Sequence, residues 1–214
     1  MISLLKRISN PRNLWHQVKR TMDTSAPIVW FFILNVVLVW LKTYAEYHMN
    51  FNLGVEGSTQ QFLLFLNPIP TAIIFLSISL YFRGVTSYWL AIIFNLIQSI
   101  WLFANMLYYR EFSDFLSMGI LGSGSSTGTN LGKSIAAIIH WTDYLVFIDI
   151  VILIFLVVFK QLTIDHKGVQ KKFAILTTLF GVILMLVDYG IASTDRSGLL
   201  TRSFDNNYIV KYLG

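Results

Sequence analysis

The two side chains whose types and spacing come closest to a metal site are His140 and Asp143, which share a helical face at i and i+3. Two ligands define no metal centre, so an interfacial pair beside Trp141 is the ordinary reading, and no metal is assigned to the chain. Other ionisable residues lie within or beside apolar stretches, where burying charge is costly and the group usually faces a bundle interior. Asp149 sits about one and a half turns beyond Asp143, and Asp188 within a turn of the end of its own stretch. Lys42, Arg110 and Lys133 are expected at the same level. A proton relay would string carboxylates or histidines through the full membrane depth. Here they cluster in one half, which suits structural ion pairs or a surface-facing site. Asn95, Gln98, Asn105 and Tyr109 fall within about 80° of one another on a helical wheel, forming one polar stripe. That stripe serves either interhelical hydrogen bonds or a lipid-headgroup groove. Pro68 and Pro70 free backbone carbonyls, giving either a filled kink or a distorted opening for a headgroup.

Motifs of soluble enzymes are missing: there is no His-Glu-x-x-His, nucleophile elbow or Walker-type loop. The Gly/Ser/Thr run at 122–129 lacks the Lys-Ser/Thr ending of a phosphate cradle and reads as a flexible linker. With no Cys, thiol nucleophiles, redox pairs and zinc-thiolate sites are excluded.

The elements that must position these residues are five apolar stretches, at about 26–44, 62–82, 88–108, 144–159 and 173–191. Hydrophobic residues make up 55% of the chain and charged residues 13%, about half the charged fraction of a soluble domain. Crossing roughly 30 Å of hydrocarbon takes about 20 helical residues, and only the fourth stretch is short. Its helix is expected to start earlier, within 134–141, so that Ala136 to Ile139 complete it. The runs do not alternate as barrel strands would. The expected fold is therefore an all-α integral membrane bundle of five transmembrane helices. Its parts are a basic arm at 1–25, the bundle at 26–191 and an outer segment at 192–214.

Basic residues set the expected orientation. With the N-terminus cytoplasmic, ten of the sixteen Lys and Arg residues lie inside, where the net charge is +8, while the outer segments are neutral. The C-terminus is then extracellular. The overall charge of +5 reads as a cytoplasmic lining facing anionic lipid, and no nucleic-acid partner follows from it. Residues 8–24, with Trp15 and His16, form either an amphipathic helix on the inner leaflet or a solvated topogenic arm.

Several segments are similar to a known family. Leu41-Lys42-Thr43-Tyr44, Phe51-Asn52-Leu53-Gly54-Val55-Glu56-Gly57 and Asn67-Pro68 resemble the first loop region of the lipoteichoic acid synthase family. Ala104-Asn105 with Tyr108-Tyr109-Arg110-Glu111-Phe112-Ser113-Asp114 resembles its third-helix exit, and Trp141-x-Asp143 with Phe147-Ile148-Asp149 its fourth helix. The tail from Thr194-Asp195-Arg196 through Leu199-Leu200-Thr201-Arg202-Ser203-Phe204-Asp205 to Gly214 carries the most specific likeness. The longer basic arm departs from the shortest family members and leaves open the synthase itself or its primase relative.

The resemblance implies an enzyme of the Gram-positive cell membrane that takes glycerol phosphate from phosphatidylglycerol. It passes this unit to a polyglycerolphosphate chain on a glycolipid anchor. The family's Thr nucleophile and its manganese (or magnesium) belong to an extracellular domain expected beyond Gly214, so no catalytic residue is carried over. On this reading Lys42 and Arg110 meet headgroup phosphates, and Glu111 and Asp114 accept glycerol or sugar hydroxyls. Tyr108, Tyr109 and Trp141 mark the interface, while Arg196, Arg202 and Lys211 dock the extracellular domain or bind polymer phosphate. Membrane lipids and that domain are the expected partners, with a homo-oligomer left open. The competing classes are a small transporter or channel subunit and a non-enzymatic membrane scaffold.

Overall fold

Runs of Val, Ile, Leu and Phe without charge have one way to satisfy their backbone in lipid, which is the helix. The computed structural model describes residues 26–55, 57–116, 138–159, 168–169, 171–195 and 206–213, and it is helical, with no strand among them. Helix α1 is Ala26–Met49. The second span is composite: α2 (Ser58–Leu66), then α3 (Pro68–Ser77), closed by a 3-10 turn at Ile78–Tyr81. Helix α4 is Val85–Phe112. The fourth span is a 3-10 stretch, Trp141–Phe147, leading into α5 (Ile148–Val158). Helix α6 is Lys171–Asp195, and a short α7 follows at Asn206–Leu213. Five of these units are long and apolar enough to cross a membrane, as the sequence leads one to expect. Met49, Ser58, Phe112, Trp141 and Asp195 lie at the same end of the alternating spans, called here the upper end. The basic arm at 1–25 and the run at 122–129 lie outside the described residues.

The spans extend beyond the apolar stretches at this end because polar and aromatic residues continue the helical ladder. Helix α6 reaches Asp195, so Asp188 lies about two turns below its end, deeper than expected. The fourth span also corrects an expectation. Ile138 is helical but Ile139 and His140 are not, so the continuous span begins at Trp141, the last position of the expected range, with 134–137 outside the described residues. Its 18 residues suffice for another reason. A 3-10 segment rises about 2.0 Å per residue against about 1.5 Å in an α-helix, so the composite covers about 30 Å. The 3-10 stretch starts at a reciprocal cap. The Asp143 side chain accepts from the His140 backbone N–H at 2.8 Å, while the His140 side chain accepts from the Asp143 N–H. His140 and Asp143 are thus a cap, and among the described residues no three His, Asp, Glu or Cys side chains gather to hold a metal.

The second span is central, with α1, α4 and α6 all packed on it, whereas the fourth span packs on α4. The Asn67-Pro68 break divides the second span, because Pro68 at the first position of α3 supplies no N–H for the helix above it. Helix α1 stitches the break, with Trp40 Nε1 donating to the Phe65 carbonyl at 2.8 Å. Below it the core interlocks Phe31, Leu76, Tyr88 and Leu153. Helix α6 approaches α3 through Gly181, where an added Cβ would come within 2.9 Å of both Ile73 and Ile74, while one at Gly190 would meet nothing. Gly181→Ala is therefore expected to lower stability by about 1–3 kcal/mol. Gly190→Ala is expected to be neutral or slightly stabilising, since it removes a helix-interior glycine. Thermal unfolding in one detergent checks both, and equal shifts would contradict the close approach.

Candidate functional site

Among the described residues two ion pairs organise polar side chains of the bundle, a lower one that is largely buried and an upper one whose arginine is partly exposed. In the lower one, Lys42 Nζ on α1 donates to Asp149 Oδ2 on α5 at 2.7 Å and to Asn95 Oδ1 and Ser99 Oγ on α4 at 2.7 and 2.5 Å. Three donors meet three acceptors, so the ammonium is saturated. Asn95 Nδ2 in turn donates to Asp149 Oδ2 at 3.1 Å and Asn35 Oδ1 at 3.2 Å, and Asn35 closes on the Phe31 carbonyl. This network ties spans one, three and four together within the bilayer.

The upper pair is a fork. Arg110 donates to both oxygens of Asp143, at 2.7 and 2.9 Å, to the Ile138 carbonyl at 2.7 Å and to Asn50 Oδ1 at 3.3 Å. Asn50 is itself hydrogen-bonded to Glu46. Lys42 and Arg110 therefore occupy two tiers rather than one level, each matched to its own carboxylate, while Lys133 lies outside the described residues. Two buried carboxylates among the described residues each leave one oxygen unmatched. Asp188 is 4% exposed and Asp149 5%, and Oδ1 of each has no hydrogen-bond partner among the described residues.

The remaining residues singled out in the sequence take different places. Tyr109 hydroxyl donates to the Asn52 carbonyl at 2.9 Å and its ring packs on Phe51 and Phe115. Tyr108 packs on Phe112, Glu111 is exposed, and Trp141 is 78% exposed, as a headgroup-level indole would be. Asp114 accepts from Asn206 of α7 at 3.2 Å. Lys211 is buried, with its ammonium 5.7 Å above the Tyr208 ring, so it faces its own helix and not an outer surface. Arg196 and Arg202 lie outside the described residues.

Helix α7 is strapped across the upper ends of spans two, three and five. Tyr212 accepts from Gln60 Nε2 at 2.7 Å and donates to Asp195 Oδ2 at 2.7 Å, while Asn207 Nδ2 donates to the Ser113 carbonyl at 2.9 Å. Burial, seconded by the bond to Asp195, pushes the Tyr212 phenol up to about 12, so it remains a donor throughout the physiological range.

Below this strap lies a cavity of about 580 Å³. Its back wall is α1, through Val39 and Tyr47, and Asn67 at the proline break flanks it. The sides are α3 and α4, whose Thr71, Phe75, Ile97 and Trp101 are exposed at its mouth, and Phe115 and Val210 close the upper end. The expected polar stripe divides here. Asn95 belongs to the lower ion-pair network, whereas Gln98 and Asn105 line the cavity. Asn67 is 3% exposed and neither its amide nitrogen nor its amide oxygen has a partner among the described residues. Its type and place were visible in the sequence, but its unsatisfied amide was not.

A profile for the lipoteichoic acid synthase N-terminal domain matches residues 12–214. The chain belongs to that family. Lipoteichoic acid synthases of Staphylococcus saprophyticus and of Staphylococcus aureus strain USA300 are 39% and 38% identical to it over 184 residues, 86% of this chain. The chain spans 28% of the length of those relatives. No solved structure matches it. The family's N-terminal domain is a membrane domain, which agrees with the five spans.

Proposed function

We propose that this chain is the membrane part of a glycerol phosphate transferase of the lipoteichoic acid synthase family, set in the cell membrane with its upper end outside. The whole enzyme transfers glycerol phosphate from phosphatidylglycerol to a polyglycerolphosphate chain on a glycolipid anchor. The bundle holds the catalytic part against the leaflet that contains both lipids, which raises its effective concentration there. The observation that carries this reading is the family match over residues 12–214. On this reading the strap of α7 over three span ends is where the catalytic part would be held against the bundle. Family membership supports the chemistry, since two relatives named lipoteichoic acid synthase share more than a third of their residues with this chain over the matched region.

No three candidate metal ligands gather among the described residues. On this reading the ion and the nucleophile belong to the part of the relatives that this chain does not span. With Lys42 paired to Asp149 and Arg110 to Asp143, this reading gives both cations a structural role in place of headgroup binding. They set the spacing of the spans, and the cavity beneath α7 takes the lipid-handling role.

The test is synthesis by the full protein carrying this chain, reconstituted with phosphatidylglycerol labelled in its headgroup glycerol and a glycolipid acceptor. Polymer growth with one diacylglycerol released per unit added is the expected result. A protein that makes no polymer but conducts solute flux would overturn the reading in favour of transport.

A further inference from the structure

We infer that the cavity between α3 and α4 is a binding site for one ester-linked glycerolipid, with an acyl chain lying in the groove and an ester carbonyl held by Asn67. Three observations converge on this. The mouth, formed by Thr71, Phe75, Ile97 and Trp101, lies along two membrane spans, so the medium it opens to is lipid. The lining is mostly apolar and the volume of about 580 Å³ falls in the range of ligand sites, roughly 300–1,000 Å³. An apolar cavity of this kind does not hold water well, so a hydrocarbon chain is the occupant its walls favour.

Asn67 supplies the polar half of the argument. An amide buried in the membrane without partners is costly, and its donor is satisfied by any acceptor that enters with the ligand. The acceptor that accompanies an acyl chain is its ester carbonyl. Three neighbouring polar side chains already have partners, whereas neither amide atom of Asn67 has one among the described residues. Thr43 is turned to the Val39 carbonyl, Gln98 to the Phe94 carbonyl, and Asn105 to the Trp101 carbonyl and the Leu116 N–H. The proline break matters for the same reason, since it sets Asn67 at the junction of α2 and α3 beside the groove. Identification of the lipid as the phosphatidylglycerol donor rests on the function proposed above; the groove itself does not.

The test uses the full protein in nanodiscs with photoactivatable phosphatidylglycerol carrying a diazirine in one acyl chain, in ester-linked and ether-linked forms. Labelled peptides are read by mass spectrometry. Phe75 and Trp101 are expected to take about tenfold more ester-lipid label than Phe180 and Leu186, which are exposed on α6. Ester lipid is expected to label them about fivefold more than ether lipid, the factor one hydrogen bond provides. Asn67→Leu removes that preference while keeping a fold that no longer buries an unpaired amide, and Thr71→Trp removes the labelling by filling the mouth. Uniform labelling of groove and α6, or equal ester and ether labelling in the wild type, would overturn the inference. A labelled groove in a protein that makes no polymer would sink the proposed function and leave this site standing. An unlabelled groove in a protein that does make polymer would do the reverse.

Discussion

Replacing Lys42 with methionine is expected to destabilise the bundle by about 3–5 kcal/mol, the cost of leaving one partner of a buried ion pair uncompensated. The geometry makes the effect large. Asp149 would keep only the Asn95 amide at 3.1 Å, and Asn95 and Ser99 would lose the donor that fixes them. A methionine fills most of the lysine's volume, so lost packing contributes little. The double variant Lys42→Met/Asp149→Leu is expected to recover most of the loss, because both charges leave together. Thermal unfolding of the variants in a single detergent gives the cycle. A single variant within about 1 kcal/mol of wild type would show that the pair is not buried as described.

The upper pair gives the second large effect, and it is local. Arg110 joins the end of α4 to Asp143, to the carbonyl of Ile138 and to Asn50, so one side chain holds the start of the fourth span. Arg110→Leu is expected to cost about 3 kcal/mol or more, since Asp143 is 3% exposed and would face no cation. Arg110→Lys keeps the charge but loses the fork, and about 1–2 kcal/mol is expected. Hydrogen exchange separates local from global damage. Protection should fall first at 141–147, because that span packs on α4. Unchanged exchange there in Arg110→Leu would show that the cap at His140 and Asp143 holds the span without the arginine.

The five spans were legible because apolar runs of this length have one solution in a membrane. Their ends were not, since Tyr47 and His48 on α1, Ser58 to Gln61 on α2 and Thr194 on α6 are polar or amphipathic yet continue the helices. The 3-10 stretch at Trp141–Phe147 left no trace in composition, because a change of rise per residue alters length and not residue type. Lys42 and Asp149 are 107 positions apart, and no local spacing announces such a pair. Both were singled out as costly to bury, which located the network but not its pairing. Asn67-Pro68 was visible as a break. That its amide would be left without a partner beside a groove depended on where Gln98 and Asn105 spend their own hydrogen bonds. Residues 192–214 read as the start of an outer segment, with Lys211 docking the extracellular domain or binding polymer phosphate. Helix α7 within it left no such mark in the sequence. It packs back because Tyr208, Val210 and Tyr212 supply apolar surface for the cores around Phe51 and Leu63.

The measurement that bears most directly on the account is an exchange of anchors in the full protein. Residues 1–214 are replaced by an unrelated five-span bundle of the same topology, and polymer synthesis from phosphatidylglycerol is measured in proteoliposomes at matched protein abundance. If the bundle positions the catalytic part and handles lipid, synthesis should fall at least about tenfold, a barrier change of about 1.4 kcal/mol. Synthesis at the wild-type rate, with polymer of wild-type length, would contradict the account and reduce this domain to an anchor.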